Sequence, residues 1–203
     1  MWYKVKRIMM RPNGVEKQVR PSGWGGWTFT YDFVNKTTTQ LTNDGRTNAS
    51  WLTTWANWVT ANSWTAIFNQ ASWLSTAMAN ANKITIVMDT YNARWGTDLS
   101  GVGVCDSSNV WPTQIWFYVQ SNAYVVDCGS NVLTTYFTWP AGDSTITCEW
   151  DFVNKTCYLD FPNVYTGTMS LTDSQIATKS VVNSVRCPLQ RYRYIKSLSI
   201  TII

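Results

Sequence analysis

Glu149 and Asp151 stand two residues apart on either side of Trp150. On a β-strand that spacing puts both carboxylates on one face. A carboxyl pair is the machinery of glycoside hydrolysis, one group acting as nucleophile or base and the other as acid. Other catalytic sets fail on composition. The chain has no histidine, so neither a Ser-His-Asp nor a Cys-His arrangement can form. Gly101-Val102-Gly103 is too short to cradle a phosphate. The five cysteines, Cys105, Cys128, Cys148, Cys157 and Cys187, are odd in number and contain no C-x-x-C pair. A zinc site needs four close soft ligands, so the expectation is five small, half-buried hydrophobes in a reduced protein, ahead of the disulfide framework of shorter secreted chains. Neither a metal nor a cofactor is expected.

Binding chemistry is better provided. Sugar rings present apolar faces that stack on aromatics, and amides and carboxylates bond their hydroxyls. Trp95, Trp111, Trp116, Tyr118 and Tyr124 fall on or beside the middle strands, with Asn92, Asp106, Asn109 and Asn122 in nearby turns. The bland alternative is strong for each aromatic, because 13 tryptophans must be placed somewhere and large aromatics are usually mostly buried.

The elements that must position these residues are mostly strands. Hydrophobic residues make up 45% of the 203 and charged residues only 14%, against about 25% charged in an average globular protein. The surface is therefore carried by Thr, Ser and Asn, as in all-β surface proteins. Strands are predicted at 83–88, 114–120, 123–128, 133–139, 144–150 and 195–203, with turn signals between them. Asp-Phe-Val-Asn-Lys-Thr occurs twice, at 32–37 and 151–156. Each copy predicts a β-turn-β unit whose Asp and Asn bond the turn backbone, with second strands at 37–41 and 157–161. Trp51, Leu52, Trp55, Trp58 and Val59 follow helical spacing after the N-cap candidate Ser50. A second short helix or turn is expected at 72–81, and a capped single turn at Thr172-Asp173-Ser174-Gln175. The prediction is an all-β, two-sheet sandwich with one or two short helices.

Asn13-Gly14 between two alternating runs predicts a hairpin over residues 1–21. A glycine-rich joint comes next, so residues 1–26 form a basic anchor and 27–203 the sandwich. Net charge is +4, but residues 1–20 and 179–203 each carry +5 and the middle carries −6. Such basic ends suit docking on an acidic protein surface, through Lys4, Lys6, Arg7, Arg11, Lys17, Arg20, Arg191, Arg193 and Lys196. Nucleic acid ranks below that partner, and base rates favour a simply solvated pair of strands. No run approaches the roughly 18 apolar residues of a membrane-spanning helix, so membrane insertion is not expected. The first twenty residues lack a signal-peptide apolar core, so export by the usual secretory route is not expected either.

The paired Asp-Phe-Val-Asn-Lys-Thr turns, the helical turn Leu171-Thr172-Asp173-Ser174-Gln175-Ile176 and the closing strand Ile195-Lys196-Ser197-Leu198-Ser199-Ile200-Thr201-Ile202 recur in that order in one family. Over residues 27–203 the chain resembles the concanavalin A-like lectin/glucanase superfamily, which implies a jelly-roll sandwich. The glucanases of that family need a further Glu after the Glu149-Trp150-Asp151 match, where this chain has Val153 and Asn154, so no catalytic residue is expected. Residues 11–21 are similar to leader segments of phage or prophage virion and tail-fibre-like proteins. Together these resemblances imply a non-enzymatic structural protein of a virion or surface appendage, capsid-decorating or fibre-like, with a lectin-like head. It would dock on other virion proteins or on its own copies as a homo-oligomer, and adhere to cell-surface glycans. Its expected location is the virion or extracellular surface, without a classical signal peptide. A glycan-binding lectin with no assembly role is the alternative, and a glycoside hydrolase comes last.

Overall fold

The computed structural model describes residues 26–34, 36–37, 39–40, 46–47, 52–55, 58–61, 63–69, 71–92, 100–106, 114–120, 123–136, 142–190 and 193–203. Within these, 46–47, 52–73, 92, 100, 120, 188–190 and 193–194 are described by their backbone only. The predicted N-terminal hairpin lies outside the described residues.

Two antiparallel sheets face each other. The first contains β1 (Trp27–Asp32), β3 (Leu52–Trp55), β4 (Trp58–Ala61), β6 (Lys83–Asn92), β11 (Gly142–Asp151), β12 (Thr156–Phe161), β13 (Tyr165–Ser170) and β15 (Arg193–Ile202), in the order β13-β12-β11-β6-β15-β4-β3. One edge of β15 pairs with β6. Its other edge is shared, with β1 along Ser197 to Ile202 and β4 at Ile195. The second sheet has seven strands: β2 (Arg46–Thr47), β5 (Ser63–Asn69), β7 (Ser100–Cys105), β8 (Gln114–Gln120), β9 (Ala123–Cys128), β10 (Asn131–Tyr136) and β14 (Ser184–Gln190), in the order β10-β9-β8-β7-β14-β5-β2. The described residues also include two short helices, α1 (Ala71–Ala79) and α2 (Asp173–Ala177), a 3-10 turn at Thr178–Ser180 and helical residues at Thr39 and Gln40.

Period-two patterning builds the core. Ile84, Ile86 and Met88 of β6 face inward with Ile146, Cys148 and Trp150 of β11 and Leu198, Ile200 and Ile202 of β15. From the seven-stranded sheet Val102, Val104, Ile115, Phe117, Val119, Val126 and Val185 meet them. The reverse face of the eight-stranded sheet is polar and internally paired. Asp89 accepts hydrogen bonds from Thr145 and Ser197, both at 2.6 Å. All five cysteines are buried and free. Cys148 and Cys157 lie 3.7 Å apart at sulfur, in van der Waals contact within the core.

Two expectations are corrected. Leu52–Trp55 and Trp58–Ala61 are paired antiparallel strands, with Trp55 opposite Trp58 and Thr54 opposite Val59. The spacing i, i+3 that suggests a helix face also describes a cross-strand pair over a two-residue turn, and the Thr and Trp content favours strands. The first Asp-Phe-Val-Asn-Lys-Thr copy does not lead into a strand, because Thr39 and Gln40 are helical. Gln40 donates its N–H to Thr37 Oγ1 (3.2 Å), and its side-chain oxygen accepts from the Thr37 N–H (2.8 Å). That is a capping box. The second copy is the predicted hairpin, closing β11 onto β12 with Lys155 at φ 55°.

Candidate functional site

The carboxylate pair is built for structure. Lys83, opposite Asp151 on the neighbouring strand, puts its Nζ 2.8 Å from Glu149 Oε1 and 3.8 Å from Asp151 Oδ2. Thr85 donates to the second Glu149 oxygen at 3.2 Å. Asp151 caps its own turn, accepting from the N–H groups of Val153 (3.0 Å) and Asn154 (2.8 Å) and from Asn154 Nδ2 (2.8 Å). The Asn154 backbone and side-chain hydrogen bonds lead in holding the Asp151 carboxyl below its ordinary value. A general acid needs the opposite shift.

The described members of the expected sugar-binding set do not form one cluster. Trp95, Trp111, Asn109 and Asn122 lie outside the described residues. Asn92 ends β6 in the eight-stranded sheet, while Trp116 and Tyr118 belong to the seven-stranded sheet. Asp106 comes directly after β7 and is half-buried. Tyr124 is corrected outright: it is 1% exposed, with its ring 5.4 Å from Tyr165 and 6.3 Å from Phe161 in the core. The register explains this. Tyr118 stands opposite Val125, and Tyr124 opposite Val119. Directly opposed residues share a face, so Tyr118 and Tyr124 point to opposite sides of one sheet. Among the docking residues, Lys196 is the one with a described side chain. It forms an ion pair with Asp143 at 2.6 Å and is not a spare cation. Arg193 lies in β15, and the rest fall outside the described residues.

Trp116 and Tyr118 do share a face, and pairing assembles a site around them. One row crosses the seven-stranded sheet: Arg186 on β14, Gly103 on β7, Trp116 on β8 and Asp127 on β9. The Arg186 guanidinium carbon lies 4.8 Å from the Trp116 ring centroid, and the Tyr118 ring lies 4.4 Å from it at 35°. Trp116 Nε1 donates to Asp127 Oδ2 at 2.8 Å. Asn131 supports the other Asp127 oxygen at 3.5 Å, and it also donates to Thr134 Oγ1 at 2.8 Å. The glycines make room for this. A Cβ on Gly103 would strike the Cβ of Trp116 and stand 2.5 Å from the Ile115 carbonyl oxygen. Gly101 stands in the same relation to Tyr118.

The electrostatics of this face are unusual for a sheet surface. Asp127 is fully buried, and that burial pushes its carboxyl up to about 6 against the pull of its Trp116 and Asn131 hydrogen bonds. Gln114, 3% exposed and in phase with Trp116, has its Oε1 buried without a hydrogen-bond partner. The Nε of Arg186 is likewise buried without one. Native proteins leave few such groups, and here two lie on one face. Gln114, Trp116, Ala123, Val125 and Asp127 of this face are all buried, and the half-buried Tyr118 and Arg186 are its more exposed side chains among the described residues. Among the described residues no three His, Cys, Asp or Glu side chains converge on a metal position.

No family model matches the sequence, and no curated protein matches it. Solved structures do resemble the fold. Peanut lectin, solved with a nine-residue peptide, superposes with a TM-score of 0.59 at 11% identity, covering 88% of this chain and 98% of that one. The metal-free form of lectin I-B4 from Griffonia simplicifolia gives 0.57 at 10% identity, covering 87% and 99%. A Bauhinia forficata lectin in complex with GalNAc gives 0.55 at 11%, covering 88% and 99%. The sandwich is thus the concanavalin A-like jelly roll of the legume lectins, shared at the level of fold. The metal implied by the Griffonia description finds no donor set among the described residues of this chain.

Proposed function

We propose that this domain is a non-catalytic carbohydrate-binding module, with its ligand seated on the outward face of the seven-stranded sheet at Tyr118 and Arg186. The observation that carries the reading is the built polar-aromatic row. Trp116 is locked by Asp127 beneath Arg186 and Tyr118, beside two buried polar atoms that lack partners. A glycan would offer hydroxyls to the open part of Arg186 and an apolar ring face to Tyr118, the usual mixture of apolar wall and few convergent polar groups in a binding site. The fold agrees with a lectin but does not by itself give function. The Lys83-bridged acids supply the argument against hydrolysis.

The test is a glycan array read by binding, and then titration of the best ligand. Tyr118→Ala should weaken that ligand at least tenfold, about 1.4 kcal/mol, with an unchanged circular dichroism spectrum. Glu149→Gln should leave binding intact, and neither protein should release sugar. Binding that ignores Tyr118, or sugar release abolished by Glu149→Gln, would move the function elsewhere. Presentation of this head on a virion or extracellular appendage, docked through the basic segment 1–26, belongs to the same proposal. Its support is the charge asymmetry of the sequence. Deleting 1–26 should then abolish assembly while the head stays folded.

A further inference from the structure

Resting on that reading of the outward face, we infer that the bound glycan is acidic and that its anionic substituent, a carboxylate or a sulfate ester, pairs with Arg186.

Arg186 lies within β14 with its side chain over Trp116, half removed from water, and burial lowers its proton affinity. A guanidinium in that setting ordinarily has a carboxylate beside it. The ion pairs among the described residues involve Lys83, Lys155 and Lys196, and none involves Arg186. The one acid in its row, Asp127, is separated from it by Trp116, and no ion pair joins the two. Asp127 is also already engaged by Trp116 and Asn131. The Trp116 ring stabilises the face of the guanidinium but offers no acceptor to its N–H edge, and Nε has none. The cation is therefore held in place with no acid paired to it among the described residues. A planar or tetrahedral oxyanion can take two parallel bonds from the open part of a guanidinium, whereas a neutral hydroxyl would leave the charge uncompensated.

The experiment uses the full chain and two matched pairs of probes: oligogalacturonate against its methyl ester, and a sulfated galactan oligosaccharide against its desulfated form. Titration should show the charged member of at least one pair binding tenfold or more tighter, with the preference shrinking as salt is raised. The responding pair tells carboxylate from sulfate. Arg186→Gln should erase the preference. If that variant fails to fold, Arg186→Lys, which keeps the charge but loses the planar fork, should reduce the preference severalfold. Equal binding of charged and neutral members, or a preference that survives the Arg186 variants, would overturn the inference and leave the glycan site standing. Binding only to neutral glycans on the wider array would do the same. Failure to bind any glycan on the array would remove the underlying reading as well.

Discussion

Asp127 shows how a single residue is tuned by its surroundings. Its carboxyl, ordinarily near 3.8, is raised to about 6 by burial. The folded chain therefore holds this proton more tightly than the unfolded chain does. By linkage its ionisation costs stability as pH rises from about 4 to about 6, and the cost is constant above that. Melting temperatures at pH 4, 5, 6 and 7 should show this as a difference between wild type and Asp127→Asn. The variant keeps an acceptor for Trp116 Nε1 and carries no charge, so it should gain on the wild type across that window. A difference that is flat with pH, or that runs the other way, would show that the carboxylate is not desolvated. Glu149 contrasts with it. Its partner Lys83 is partly exposed, and exposed pairs of this kind are worth about 0–1 kcal/mol. Glu149→Gln should accordingly be nearly neutral in stability.

Strand β7 is shaped by what it lacks. Gly101 and Gly103 face Tyr118 and Trp116 at positions where any Cβ meets a neighbouring strand. Gly103→Ala should cost roughly 1–3 kcal/mol in a urea melt, the usual range for overpacking, and should also dislodge Trp116 from its place under Arg186. Helix α2 is set by its start. Thr172 Oγ1 accepts from the Gln175 N–H, and the Gln175 side chain accepts from the Thr172 N–H, while its amide nitrogen donates to the Asn131 carbonyl. Thr172→Ala should cost about 1 kcal/mol. Gln175→Ala should cost more, because it also orphans a contact to β10.

For the molecule as a whole, the pairing of β1 with β15 joins the first strand of the sandwich to its last, Trp27 opposite Ile202. Strand β15 stands between β6 and β1, so its loss would open the eight-stranded sheet from within. Removing residues 197–203 should abolish cooperative unfolding altogether, as monitored by calorimetry. The five buried thiols give a second global readout. An aromatic disulfide reagent should titrate few or none in the native protein and all five in denaturant without reductant. Fewer than five in denaturant would reveal an oxidised pair.

Local chemistry was sufficient wherever a segment's own pattern decided its state. The strands predicted at 114–120 and 123–128 match β8 and β9 residue for residue. Both Asp-Phe-Val-Asn-Lys-Thr copies form the Asp-anchored turn, Asp32 accepting from the Val34 N–H as Asp151 does from Val153. The element after each copy is set by its own residues too. Gln40 completes a capping box with Thr37, whereas Leu159 continues an alternating strand. The candidate site was only half legible. Trp116 and Tyr118 are visible as strand aromatics, but Arg186 and Gly103 sit on strands that Pro188 and paired glycines disguise. Asp127 looks like any strand-end acid. Across-sheet register brings residues 103, 116, 127 and 186 into one row, and register is a property of paired strands, beyond the reach of any single segment. The same register turns Tyr124 into the core and Tyr118 out of it.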